Sequence, residues 1–196
     1  MNRRPKLYHG ILGIIIAGLI LACKLGEPLA TSTADVCGQS REPSEKDVKF
    51  LLGFTGDTFA SDEWQRSYSA EDLRATVTWA NDLEGGVAYA EYLLYNCGYT
   101  QNDLDLYFTE QNFKDIIFRE YQNVQLVTNC ATEDASLTLY EFSAIWEDEP
   151  YSLRYWVKLD SQTRVLTMML AFPGSSIALM DHYAGVLFPN LQACQK

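Results

Sequence analysis

Histidine is almost absent from this sequence. Of the two among 196 residues, His9 sits in the N-terminal apolar segment and His182 stands alone beside Asp181. A lone histidine offers neither a metal-ligand set nor the partner that histidine-based acid–base chemistry needs. No Cys-x-x-Cys pair occurs, which removes the usual signal of a zinc site or a thioredoxin-like centre. No glycine-rich phosphate loop is present, and Pro173-Gly174-Ser175-Ser176 lacks the pattern of a nucleophile elbow. Ser175 or Ser176 therefore reads as a helix cap. Asp103 and Asp105, and the run Glu147-Asp148-Glu149, lack the ligand spacing of a calcium loop and read as solvated turns. Positive charge is scarce as well: 15 Lys and Arg stand against 26 Asp and Glu, a net charge of −11. Nucleic acid needs clustered cations for its phosphates, so it is not expected as a partner. No cofactor, no metal and no catalytic residue are expected. Carboxylates from distant strands converging into a hydrolase site form a third, weaker reading.

A long apolar run is also missing. The longest stretch, Ile11–Ala22, has twelve residues, whereas a spanning helix needs about 20. It follows Arg3, Arg4 and Lys6, and the proportions are those of a secretory signal peptide. The stretch closes with Ile20-Leu21-Ala22-Cys23, which resembles the lipobox of bacterial lipoproteins. That resemblance covers only the first 23 residues. It implies cleavage before Cys23 and lipid attachment to Cys23. The chain then divides into a signal peptide (1–22), a tether rich in Pro, Thr, Ser and Gly (23–43) and a single globular domain (44–196). A short uncleaved anchor, or cleavage after Ala34, remains an alternative. All three place the domain outside the cytoplasm. The first two hold it at the cell membrane or envelope, through an N-terminal lipid or through the anchor itself.

Four cysteines follow Cys23: Cys37, Cys97, Cys130 and Cys194. An even number in an exported chain suggests two disulfides, with three connectivities open. Cys37 and Cys194 lie near the two ends of the domain, and Cys97 and Cys130 flank a helical segment. This favours Cys37–Cys194 and Cys97–Cys130, with free buried thiols as the alternative.

Periodicity predicts an α+β domain: helix, three strands, helix, four strands, helix, with an antiparallel sheet of about seven strands covered by helices. Ser44 followed by Glu45 and Asp47 marks the first helix start, and Gly53 and Gly56 keep that helix short. Strands are expected near 62–69, 73–81 and 86–97, then at about 124–130, 137–147, 151–159 and 163–172. Between the two sets, residues 102–121 read as helical, with Phe113, Ile116, Ile117 and Tyr121 on one face. A last helix over 176–188 turns Ile177, Met180, Ala184 and Leu187 to the core.

Strand 151–159 alternates, with Tyr151, Leu153, Tyr155, Val157 and Leu159 on one face. Tight turns at 147–150 and 160–163 predict that Phe142 pairs with Tyr155 and Tyr155 with Met168. The opposite face then gathers Glu141, Arg154, Trp156 and Lys158, with Leu139, Ser143, Val165, Thr167 and Met169 around them. A tryptophan between two cations is the composition of a binding hot spot; the plainer alternatives are a solvated face or one covered by a helix. The expectation is a non-enzymatic, extracytoplasmic lipoprotein domain that binds a protein or an envelope polymer. A carrier of an apolar or aromatic small ligand, held between sheet and helix, is the second reading.

Overall fold

The computed structural model describes residues 42–71, 73–94, 98–161 and 163–194. The leader, most of the tether, Cys23, Cys37 and Cys97 lie outside the described residues. Helix α1 (Glu45–Thr55) starts where the sequence predicts. The Asp47 carboxylate accepts hydrogen bonds from the Ser44 backbone N–H at 2.9 Å and from its hydroxyl at 2.8 Å, which satisfies a donor that the helix start would otherwise leave orphaned. Gly56 ends the helix with φ 53°, a conformation glycine adopts without steric cost.

Strands β1 (Gln65–Glu71), β2 (Arg74–Asn81) and β3 (Gly86–Leu94) form a meander. Helices α2 (Gln101–Tyr107) and α3 (Glu110–Asn112) carry the chain to the far edge of the sheet. There β4 (Gln122–Ala131), β5 (Thr138–Trp146), β6 (Glu149–Ser161) and β7 (Arg164–Pro173) form a second meander, and helix α4 (Ile177–Leu187) follows. The result is one antiparallel seven-stranded sheet of order β1-β2-β3-β7-β6-β5-β4, in an α+β fold. The last strand closes the sheet by pairing with the third. Helices cover both faces. Val48 and Leu51 of α1, with Met180 and Ala184 of α4, pack on Val77, Trp79, Leu170 and Phe172. Leu104, Phe108, Phe113 and Phe118 pack on Tyr140, Phe142, Leu153 and Tyr155 on the other side.

The segment after α2 departs from a single helix. Thr109 restarts the chain by accepting from the Asn112 N–H, and residues Phe113–Ile117 widen into a π turn in which the Phe118 N–H donates to the Phe113 carbonyl. A π turn inserts an extra residue, so the face shifts. Phe113 and Phe118 both become buried and stack at 5.4 Å, while Ile116, expected in the core, is 40% exposed. Ile177 of α4 is likewise exposed; Met180 and Ala184 are buried as expected.

Two turns set the register of the second meander. Glu147 and Asp148 both have positive φ (48° and 66°) and alone form the β5–β6 turn. Two residues with φ above zero make a type I′ hairpin, whose twist matches its strands. Pro150 therefore lies in the strand opposite Ile145, and Tyr155 faces Tyr140 instead of Phe142. This two-residue shift preserves the faces. The second turn does not preserve them: a bulge between Leu159 and Ser161 shifts β6 against β7 by one residue, so Tyr155 faces Met169 and Trp156 faces Met168. Val165, Thr167 and Met169 thus leave the face on which they were expected, and Leu166, Met168, Leu170 and Phe172 replace them. A bulge places two residues opposite one and reverses the alternation beyond it.

The expected disulfides are also corrected. Cys130 bonds Cys194, with a Cα separation of 5.6 Å. This excludes both Cys37–Cys194 and Cys97–Cys130. The sheet order explains it: three strands, β7, β6 and β5, separate β3, which leads to Cys97, from β4, which carries Cys130. The C-terminal segment instead reaches the β4 edge. The bridge spans 64 residues, for which the chain-entropy model gives about 4 kcal/mol. Cys194→Ser should therefore lower stability by about 2–4 kcal/mol in urea unfolding, with non-reducing peptide maps of the parent linking Cys130 to Cys194. A map joining Cys97 to Cys130 would contradict this topology.

Candidate functional site

The four residues expected to form a partner surface do share a sheet face, since Glu141 lies opposite Arg154 and Leu139 opposite Trp156. That face is not open. Arg154 Nε donates to Glu141 Oε1 at 3.0 Å, and its Nη2 meets Asp181 of α4 at 2.7 Å. Trp156 is 1% exposed, stacked on Phe188 at 4.4 Å, and its Nε1 donates to the Leu191 carbonyl at 2.8 Å. Helix α4 and the segment after it cover this Trp and Arg. Covering an aromatic side chain of roughly 150–250 Å² contributes several kcal/mol, against about 1 kcal/mol for the indole hydrogen bond. Packing therefore dominates the placement of Trp156. The register correction strengthens it, because Met168 and Leu166 become its neighbours. Only Lys158 of the four remains exposed.

Beside Lys158 a groove of about 700 Å³ opens. Trp156, Leu166 and Met168 underlie it, each almost fully buried, and its accessible apolar lining is Phe54, Leu137 and Leu187. One wall is the β4–β5 loop with Thr132 and Leu137, another is the strap Phe188–Leu191, and Phe54 of α1 closes one end. The loop wall is held by its own hydrogen bonds. The Asp134 carboxylate accepts from the Thr132 hydroxyl (2.6 Å), the Ser136 hydroxyl (2.8 Å) and the Ser136 N–H (3.1 Å). Those donors, the Thr132 hydroxyl first, lower its pKa to about 2. The strap wall is held by α4 at one end, by Trp156 in the middle and by the Cys130–Cys194 bridge at the other. Sequence patterning missed this site because its parts come from five separated segments. Pro189 directly after the last helix, with Cys194 five residues on, was the available signal that the chain crosses the sheet there.

A second polar cluster lies on the opposite face. Glu91 of β3 is nearly buried and pairs with Arg74 at 3.2 Å, and Thr76 Oγ1 donates to it at 3.3 Å. Burial raises its pKa above the usual glutamate value, opposed by Arg74. Tyr89 and Tyr155 beside it are raised by burial as well. The remaining sequence candidates have local roles. Asp103 caps α2 through the Thr100 N–H and hydroxyl, whose hydrogen bonds lower its pKa. Ser176 Oγ donates to Glu84, and His182 is exposed on α4. Among the described residues, no group of three or more His, Cys, Asp or Glu is placed to hold a metal ion. Among the same residues no helix is long and apolar enough to cross a membrane.

No protein-family model matches the chain, and no curated protein matches it. Among solved structures, a mutant of the protein Mog1 superposes with a TM-score of 0.43 at 7% identity, covering 67% of this chain and 84% of that one. A likeness that distant has no bearing on function.

The Glu91 pair makes a stability prediction. A folded-state pKa above the unfolded one means that the native state holds the proton longer. The associated stability is then complete below the ordinary value, about 4.3, and is lost as pH rises through the raised one. Urea midpoints of Glu91→Gln should fall less than those of the parent across that window. Parallel pH curves for the two proteins would contradict it.

Proposed function

We propose that this chain is a non-enzymatic binding domain, tethered to a membrane outside the cytoplasm, and that the groove beside Lys158 receives an apolar or aromatic group. The groove is the observation that carries the reading. Its volume falls in the range of sites for one small ligand, and its lining combines an apolar floor with a few polar rim groups, as such sites do. This moves the carrier reading ahead of binding to a protein or envelope polymer. The latter retains one support. Strand β1 is a free sheet edge exposed along most of its length, with Tyr68 67% exposed, and such an edge can accept a partner strand.

The tether rests on Ala22-Cys23 after the twelve-residue apolar run. Mass spectrometry of protein from its native membrane should show a diacylglyceryl-modified Cys23 at the N-terminus. An intact Met1 would replace the lipid with an uncleaved anchor. For the groove, 2-naphthalenemethanol should bind the full chain saturably at one site by calorimetry. Leu137→Asp should weaken that binding at least tenfold while far-UV circular dichroism stays unchanged, because a charge on the apolar wall must be desolvated. Equal binding by the variant would place the ligand elsewhere.

A further inference from the structure

We propose that the groove selects amphipathic small molecules with one anionic head, the Lys158 ammonium meeting the head while the apolar body lies against the part-exposed Phe54, Leu137 and Leu187. This rests on the groove being the binding site and names the chemistry of its occupant. Lys158 lies on the groove face of β6, opposite Leu166 of β7, and it is exposed at the rim. Among the described residues it forms no ion pair, whereas Arg74, Lys114, Arg119 and Arg154 are each paired with a carboxylate. In a chain with 26 acidic side chains against 15 basic ones, an unpaired ammonium beside an apolar floor is a free electrostatic contact. The two acids on the facing wall do not offer the same to a cation on equal terms. Asp134 directs its carboxylate into its own loop, where three donors engage it. Glu133 is exposed there.

An ammonium emerging from apolar neighbours is less screened than one in open solvent, so a charge-assisted hydrogen bond to it discriminates between heads. The volume limits the body to a single drug-sized molecule.

Three probes of one shape separate the possibilities: 2-naphthoate, neutral 2-naphthalenemethanol and cationic 2-naphthylmethylammonium. Each is titrated into the full chain by calorimetry at neutral pH and low salt. The expected order is anion first, by about fivefold over the neutral probe, with the cation weakest. Lys158→Gln should erase the preference, bringing the anion's affinity down to that of the neutral probe for the same variant; Lys158→Arg should retain it. Equal binding of all three probes overturns the head-group inference and leaves the groove as a site. Tighter binding of the cation overturns it in favour of the Glu133 wall. If no probe binds, both readings fall; a dimer in light scattering would then assign the groove to a second copy of the chain.

Discussion

Strand β7 pairs with β3 on one side and β6 on the other, and nine of its ten residues are buried. The molecule depends on this pairing, because it is the seam that makes two meanders into one sheet. A strand at that position has helices above and below it. It must therefore be apolar on both faces, as Val165–Phe172 are apart from Thr167. Helices α1 and α4 cover one side, and the α2–α3 segment with its π turn covers the other. The first meander alone would leave Trp79 and Val77 without the α4 side of their core.

The same seam explains how the groove arises. With both faces of β7 apolar, hydrophobic burial does not choose between registers one residue apart. The bulge between Leu159 and Ser161 makes that choice. Asp160 at the bulge accepts a hydrogen bond from the Tyr92 hydroxyl on β3, which ties the bulged turn across the seam. The chosen register sets Met168 beside Trp156 and Leu166 beside Lys158. It thereby builds an apolar floor with one cation at its edge. The strap then crosses that floor, bonded to Trp156 and anchored at Cys194. The groove is what the strap and the β4–β5 loop leave uncovered.

The sequence was legible where local chemistry decides. Ser44 with Asp47, Gly56 after α1, the meanders and the acidic β5–β6 turn all announced themselves, whereas Gly53, expected to follow the helix, lies inside it. Face assignment failed where it rested on alternation alone. Alternation tells in from out only when one face meets water, and β6 and β7 are covered on both. Trp156 read as a hot spot for the same reason: its neighbours Arg154 and Lys158 are charged, yet α4 supplies Asp181 to pair Arg154 and covers the indole. The disulfide depended on strand order, which no spacing along the chain encodes. The groove depended on all of these at once, so only its isolated residues, not their convergence, stood in the sequence.

Two adjacent methionines on β7 offer the most direct test that a ligand enters this groove. Met168 lines the groove from beneath, while Met169 lies in the opposite core and Met180 packs from α4 onto the sheet. In methyl-¹³C-methionine spectra of the full chain, adding 2-naphthoate should shift the Met168 methyl resonance progressively and saturably, with Met169 and Met180 nearly still. Shifts of similar size at Met168 and Met169, or a shift at Met169 alone, would contradict the groove as the binding site.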